Sequence, residues 1–281
     1  MTRFNIVVPA RYASTRLPAK PLADIAGKSM LQRVWERANM AGAERVLIAT
    51  DDERIFVHAQ AFGADVLMTR ADHPSGTDRL HEVASQAGWP DEAIVVNVQG
   101  DEPLIPAAVV AQVAEVLALD PGVTAATLAE PLTEVAQLFD PNVVKVVRDV
   151  HGRALYFSRA PIPYARDGFS AGRPDLLPDP AIWLRHIGIY AYRVSALRRY
   201  VLWPRHPLEI LESLEQLRLL GMGEPMRVDV ACADVPGGID TPADLERVRA
   251  LFASGTSGTS GTSGTSGTSM ARAVAPGRLR S

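Results

Sequence analysis

Three cations stand close together in "PARYASTRLPAKPL" (residues 9–22): Arg11, Arg16 and Lys20, five and four residues apart. Arginine forks suit phosphate oxygens, and a lysine supplies a focused point charge. Ser14 and Thr15 offer hydroxyl donors among them. The stretch lacks a Walker A pattern and lacks GxGxxG, so it is neither a P-loop nor a dinucleotide fingerprint. On spacing alone, a solvated loop and a clamp for a polyanion are equally good readings. Two carboxylates supply a counterpart. Asp101 ends "VVNVQGD" and Asp240 sits in "PGGIDTP". Hard oxygen ligands from two chain segments are what a Mg²⁺ shared with substrate phosphates requires. The competing readings are a loop turn for Asp101 and helix-cap chemistry for Asp240. Asp51 and Asp52 read as first-turn acids of a helix.

A second polar set lies mostly in the middle of the chain: Arg159 after "ALYFS", Arg185 and His186 before "IGIY", with Gln99 and Arg79 further upstream. Several donors with few acids point to an anionic co-substrate. No Ser-His-Asp or Cys-His arrangement stands out, and closely spaced histidines for zinc are lacking.

These residues need elements to carry them. "FNIVVPA" (4–10), "VLIAT" (46–50), "DVLMT" (65–69) and "AIVVNVQGD" (93–101) read as strands. Helices are predicted over 30–42, 51–63, 77–88 and 106–119. The alternation predicts a mostly parallel sheet covered on both faces, with ligand sites at the carboxyl ends of its strands. Residues 10–22, 50–52 and 100–102 all fall there. The middle of the chain is strand-rich. Residues 165–182 carry many Gly, Pro and Asp and read as a mobile excursion. Helices return over 207–223 and 241–252, the second with Thr241 as cap and Pro242 as its first residue.

The chain has 281 residues, 47% of them hydrophobic, enough for a sizeable core. A net charge of −3 argues against a nucleic-acid or membrane-surface binder. The single cysteine, Cys232, excludes an intrachain disulfide and reads as a core filler. Five Gly-Thr-Ser repeats (255–269) and a basic end with three arginines read as a disordered linker and a dispensable tail. No stretch reaches transmembrane length and no signal peptide opens the chain, so the expected location is the cytoplasm.

Nine segments in order carry a resemblance: "PARYASTRLPAKPL", "TDD", "TRADHPSGTDRL", "VNVQGDEP", "NVVKVV", "ALYFSRAPIPY", "RHIGIYAYR", "LEQLR" and "GIDTPADLERVR". Together they resemble the 3-deoxy-manno-octulosonate (Kdo) cytidylyltransferase family from about Ile6 to Phe252. The resemblance implies a three-layer α/β nucleotide-binding sheet, nucleotide-diphospho-sugar transferase-like, over residues 1–253. It implies a smaller strand-rich region for sugar binding and dimerisation inserted at about 130–200, leaving 254–281 as tail. The implied reaction joins CTP and Kdo into CMP-Kdo and pyrophosphate, with Mg²⁺, in a cytoplasmic homodimer that feeds lipopolysaccharide synthesis.

By resemblance, Arg16, Lys20, Asp101 and Asp240 are catalytic, and Asp101 and Asp240 hold the metal. Ala10, Arg11, Arg16, Lys20 and Ser75 hold CTP. Arg79, Gln99, Arg159, His186, Tyr190, Glu212 and Gln216 line the Kdo site or its surroundings, with Glu209 and Glu215 competing for the last two places. Residue 19 is Ala where many similar chains have Gly, which implies ordinary backbone angles there. The rival readings are a cytidylyltransferase for sialic acid or a modified Kdo, and a non-catalytic protein that kept the nucleotide fold.

Overall fold

The computed structural model describes residues 2–13, 17–170, 172–177 and 182–255. In chain order it comprises β1 (Asn5–Ala10), a 3₁₀ turn (Lys20–Leu22), the hairpin β2 (Asp24–Ile25) and β3 (Lys28–Ser29), α1 (Met30–Asn39), β4 (Arg45–Thr50), α2 (Glu53–Ala61) and β5 (Asp65–Met68). Then come α3 (Gly76–Gln86), β6 (Ile94–Asn97), α4 (Ala107–Leu119), β7 (Ala125–Pro131), α5 (Val135–Phe139), β8 (Lys145–Arg148), β9 (Ala154–Ser158) and β10 (Leu184–Arg193). The described chain closes with α6 (Val194–Tyr200), α7 (Pro207–Glu212), α8 (Gln216–Gly221), β11 (Met226–Val230) and α9 (Pro242–Ala253).

The main sheet runs β11-β7-β10-β6-β1-β4-β5. Strands β6, β1, β4 and β5 are parallel neighbours, β10 runs antiparallel between β6 and β7, and β11 is parallel to β7. Strand alternation divides the core into two. Ile6, Val8, Ile48, Val96 and Val98 pack into one layer with α1, α2 and α4 residues. Val7, Leu47, Ala49 and Val95 pack into the other with Leu80 and Val83 of α3 and Leu197 of α6. A helix–sheet–helix sandwich follows from side chains pointing alternately to opposite faces. Strands β8 and β9 branch off β10, with β9 at the free edge.

Several sequence expectations change. The strand expected over 93–101 ends at Asn97, which leaves Gln99 to Glu102 as loop. Ala19 is left-handed, φ 55 and ψ 27, not ordinary, because the backbone must turn into the Lys20–Leu22 turn. Asp52 is the N-cap of α2 rather than a first-turn acid, accepting from the Arg54 amide. Helix 207–223 is broken at Ser213, φ 51 and ψ 49. Cys232 is exposed, not core, because β11 ends before it. The excursion at 165–182 is pinned in its described part: Phe169 is buried against Leu132, Leu138 and Trp183. The helix at 241–252 forms as expected, with a reciprocal Thr241–Asp244 capping box. The repeats and basic end beyond Gly255 lie outside the described residues.

Candidate functional site

The carboxyl edge of the parallel strands opens into a cleft of about 440 Å³, lined by Ala10, Arg11, Lys20, Gly76, Gln99, Gly100, Asp101 and Asp240 among others. Each arrives for a local reason. Ala10 is the last residue of β1 and is buried. Lys20 opens the 3₁₀ turn that follows left-handed Ala19. Gly100 crosses so close to β1 that a Cβ there would lie 2.7 Å from the Pro9 carbonyl oxygen. The glycine is therefore required by the protein's own backbone, which delivers Asp101 one residue later. The Ile239 amide donates to the Asp101 carbonyl at 2.9 Å, tying the Asp240 loop to the Asp101 loop.

Lys20 Nζ donates to Asp101 Oδ2 at 2.7 Å and to Asp240 Oδ1 at 3.1 Å. Two carboxylates separated by about half of the chain thus reach one cationic point. Oxygen donors that already share an ammonium suit a hard divalent cation. Beside Asp101 the chain is also tight: a Cβ on Gly238 would approach the Asp101 carbonyl oxygen to 3.3 Å. The residues present therefore fit a Mg²⁺ in donor type and convergence. Next to them Glu102 is pushed up to about 8 by burial and then by the Asp101 charge, and its Oε2 lacks a partner among the described residues.

Arg11 is exposed and donates to the His73 carbonyl at 2.8 Å. That carbonyl is held in turn, because His73 pairs with Glu82 of α3. Ser75 caps α3, accepting from the Asp78 amide at 3.2 Å, and so presents Gly76 to the cleft. Arg16, Ser14 and Thr15 lie outside the described residues.

A second cleft of about 300 Å³ adjoins the first and shares Gly76 and Gln99 with it. Its other lining residues are Thr77, Asn97, His186, Gly188, Tyr190, Tyr192, Ser213, Leu214, Glu215 and Gln216. Strand β10 supplies His186 and Tyr190 on one face; the interruption between α7 and α8 supplies Ser213 to Glu215, and the first residue of α8 supplies Gln216. His186 is half-buried at the cleft wall, and desolvation followed by the Arg185 charge lowers it to about 3, so the ring is neutral. Thr127 Oγ1 donates to the Ile189 carbonyl at 2.6 Å, so His186 Nε2 is the donor in its 2.9 Å bond to that hydroxyl. This network assigns Nδ1 as the free acceptor. Burial also raises Tyr190 far above its ordinary range, keeping it a neutral phenol.

The structure brings Gln99, His186, Tyr190 and Gln216 to this cleft; it does not bring Arg79, Arg159 or Glu212 to its lining. Arg79 is fully buried in the first turn of α3, paired with Asp51 at 2.7 Å and bonded to Thr69. Its work is to dock α3 against the ends of β4 and β5. Arg159 gives its donors to three carbonyls, Glu212 at 2.7 Å, Pro141 at 2.8 Å and Ser213 at 3.4 Å. Glu212 accepts from the Ser158 hydroxyl at 2.6 Å and from the Arg159 amide at 2.9 Å. Both therefore buttress the Ser213 turn from behind. Arg185 pairs with Glu130 of β7. Of the competitors, Glu215 lines the cleft and bonds Thr77 Oγ1 at 3.0 Å, with burial raising its carboxyl. Glu209 is buried in a two-bond ion pair with Arg218, at 2.7 and 2.8 Å. Burial is the largest influence and disfavours the Glu209 charge, but the Arg218 hydrogen bonds and charge, with the bonds from Arg205 and the His206 amide, together outweigh it and leave the carboxyl below its usual range.

Sequence reasoning missed Asn97, Thr77 and Tyr192. Asn97 and Tyr192 were legible as polar groups alternating with apolar ones in "VVNVQG" and "IYAYR".

The fold and paired clefts are those of a nucleotidyltransferase-like α/β protein. The family profile described as Cytidylyltransferase matches residues 5–226. The 3-deoxy-manno-octulosonate cytidylyltransferase of Cellvibrio japonicus is 59% identical over 90% of this chain and 99% of its own. That of Pseudomonas syringae pv. syringae is 59% identical over 88% and 97%. A solved CMP:2-keto-3-deoxy-manno-octonic acid synthetase complexed with CTP superposes with a TM-score of 0.81 at 45% identity, over 91% of this chain and all of that one. The chain belongs to the 3-deoxy-manno-octulosonate cytidylyltransferase family.

Proposed function

We propose that this chain transfers CMP from CTP to Kdo, releasing pyrophosphate and CMP-Kdo for lipopolysaccharide inner-core synthesis. The observation that carries the reading is the meeting of Lys20, Asp101 and Asp240 in one cleft, separated from a polar second cleft only by Gln99 and Gly76. A triphosphate in the first and an acid sugar in the second would face each other across that wall. The anomeric hydroxyl oxygen bonds to the α-phosphorus, the bond from that phosphorus to pyrophosphate breaks, and the hydroxyl proton is released. Such chemistry is catalysed by alignment and by charges fixed in advance. Asp101 and Asp240 would hold Mg²⁺, which when bound neutralises phosphate charge as a Lewis acid. Lys20, with Arg11 and Arg16, would balance charge on the triphosphate. Gln99, which lines both clefts, would orient the sugar toward the nucleotide.

The test is pyrophosphate release from CTP with Mg²⁺, with Kdo, with sialic acid and without sugar. We expect Kdo-dependent release; equal release with sialic acid would move the substrate to another acid sugar. The same assay checks the domain reading of one catalytic unit over 1–253, because removal of 255–281 should leave turnover unchanged.

We place the enzyme in the cytoplasm, with the nucleotide pool, as a homodimer. What supports the dimer is apolar exposure near the strand branch: Leu155 on edge strand β9, and Ile210 and Leu211 on α7. Glu212 bonds Ser158, which brings α7 beside β9. Sedimentation at micromolar concentration checks it, a monomer being the contrary result. Among the described residues no helix is long and apolar enough to cross a membrane.

A further inference from the structure

One buried polar atom on the wall of the second cleft lacks an explanation within the protein. Asn97 is 4% exposed, yet its Oδ1 has no hydrogen-bond partner among the described residues. Buried polar side chains are nearly always satisfied, and leaving one unpaired costs about 1–3 kcal/mol. A purely structural residue here would be apolar. Strand β6 and the residue after it show what that would look like: Val96 and Val98 enter one core layer, and Val95 enters the other. Asn97 follows Val95 on the second face, where the apolar pattern stops, and Gln99 comes next. Both line the second cleft. Across the strand pair Asn97 is opposite Tyr190, another lining residue.

We infer that Asn97 is a specificity-determining residue that receives a hydroxyl of the acid sugar. A hydroxyl both donates and accepts, so it satisfies the amide in either orientation. The cleft that this group lines is also lined by neutral His186, with its free Nδ1 acceptor, and by Gln99 on the shared wall. An amide adds no charge, which suits a place where an anionic sugar must also fit. The discrimination comes from the cost of leaving Asn97 unpaired. A sugar lacking that hydroxyl buries the cleft and leaves the oxygen empty, and sites of this kind reject deoxy analogues strongly.

The inference rests on the proposed reaction, so the unaltered protein is assayed first and the acid sugar that it uses defines the series. If Kdo is inactive and another acid sugar is active, the substrate reading fails while Asn97 is still tested on that sugar. Each single-deoxy analogue is then compared on the unaltered protein and on Asn97→Ala. We expect Asn97→Ala to lower kcat/KM for the sugar about 10-fold or more while KM for CTP stays within about twofold. One analogue should lose about 100-fold on the unaltered protein and much less on the variant. Asn97→Ser, which keeps an acceptor at the position, should regain part of the loss. Equal penalties for every analogue on both proteins would overturn the proposal. A crystal structure of the unaltered protein with the sugar decides the matter without any variant: a sugar hydroxyl oxygen within about 3.2 Å of the Asn97 amide supports it. A water there, with every sugar hydroxyl elsewhere, overturns it.

Discussion

Ala19 carries a Cβ in a backbone conformation that glycine adopts freely. Left-handed geometry costs an L-residue about 1–2 kcal/mol, partly offset by the smaller entropy that alanine loses on folding. Ala19→Gly should therefore raise stability by about 1 kcal/mol, read from urea unfolding, provided the turn itself is unchanged. The sequence pointed to this position only through the glycine of similar chains, and the inference drawn from alanine was ordinary angles. The structure reverses it, because the chain has to turn sharply between Leu17 and Lys20. Lys20, Asp101 and Asp240 were legible as residue types at strand ends. Their meeting at one ammonium was not, since nothing in local spacing couples positions so far apart. The opposite holds for Arg159: its type suggested a carboxylate partner, but a guanidinium with five donors serves equally well to gather backbone carbonyls.

The broken helix shows the limit at the scale of elements. Residues 207–223 keep a helical apolar pattern, and one residue with positive φ leaves almost no trace in periodicity. What holds the break is side-chain chemistry across it. Glu209 on α7 bonds Arg218 on α8 twice, Arg205 adds a third contact at 3.2 Å, and the Arg218 guanidinium lies 4.1 Å from the Tyr200 ring centre. Removing one partner of a buried pair strands the other charge, at a cost of about 3–5 kcal/mol. Glu209→Ala should lower stability by that order. Because Glu215 and Gln216 follow the break, it should also raise KM for the sugar more than KM for CTP. An equal rise for both substrates would show that the corner does not position the sugar side. The order of strands and helices in the first half, by contrast, was readable because each element there carries its own period, although ends shifted, as where the strand expected to reach Asp101 stops at Asn97.

At the scale of the whole molecule, desolvation of neutral His186 links stability to pH. Its folded value of about 3 lies below the ordinary 6.5, so within that window the unfolded chain binds the extra proton. Stability from this group therefore rises with pH and is lost as pH falls from about 6.5 toward 3. His186→Gln should flatten the decline in unfolding midpoint between pH 7 and 4 relative to the unaltered protein. An unchanged slope would mean that the ring titrates normally. The layered fold was legible as a whole because alternating strands must be covered on both faces. The β8–β9 branch and the antiparallel place of β10 were legible only as strand-rich sequence, since pairing partners depend on contacts between distant segments.

The ammonium held by Asp101 and Asp240 also has a consequence in time. It joins residues near the start, the middle and the end of the described chain. Contacts of such sequence separation form late, after the loops between them have closed. During refolding, the sheet and its two packed faces can assemble before the Asp240 loop docks ahead of α9. Recovery of nucleotide binding should then trail recovery of secondary structure, so that a nearly native chain exists for a while without its phosphate cleft.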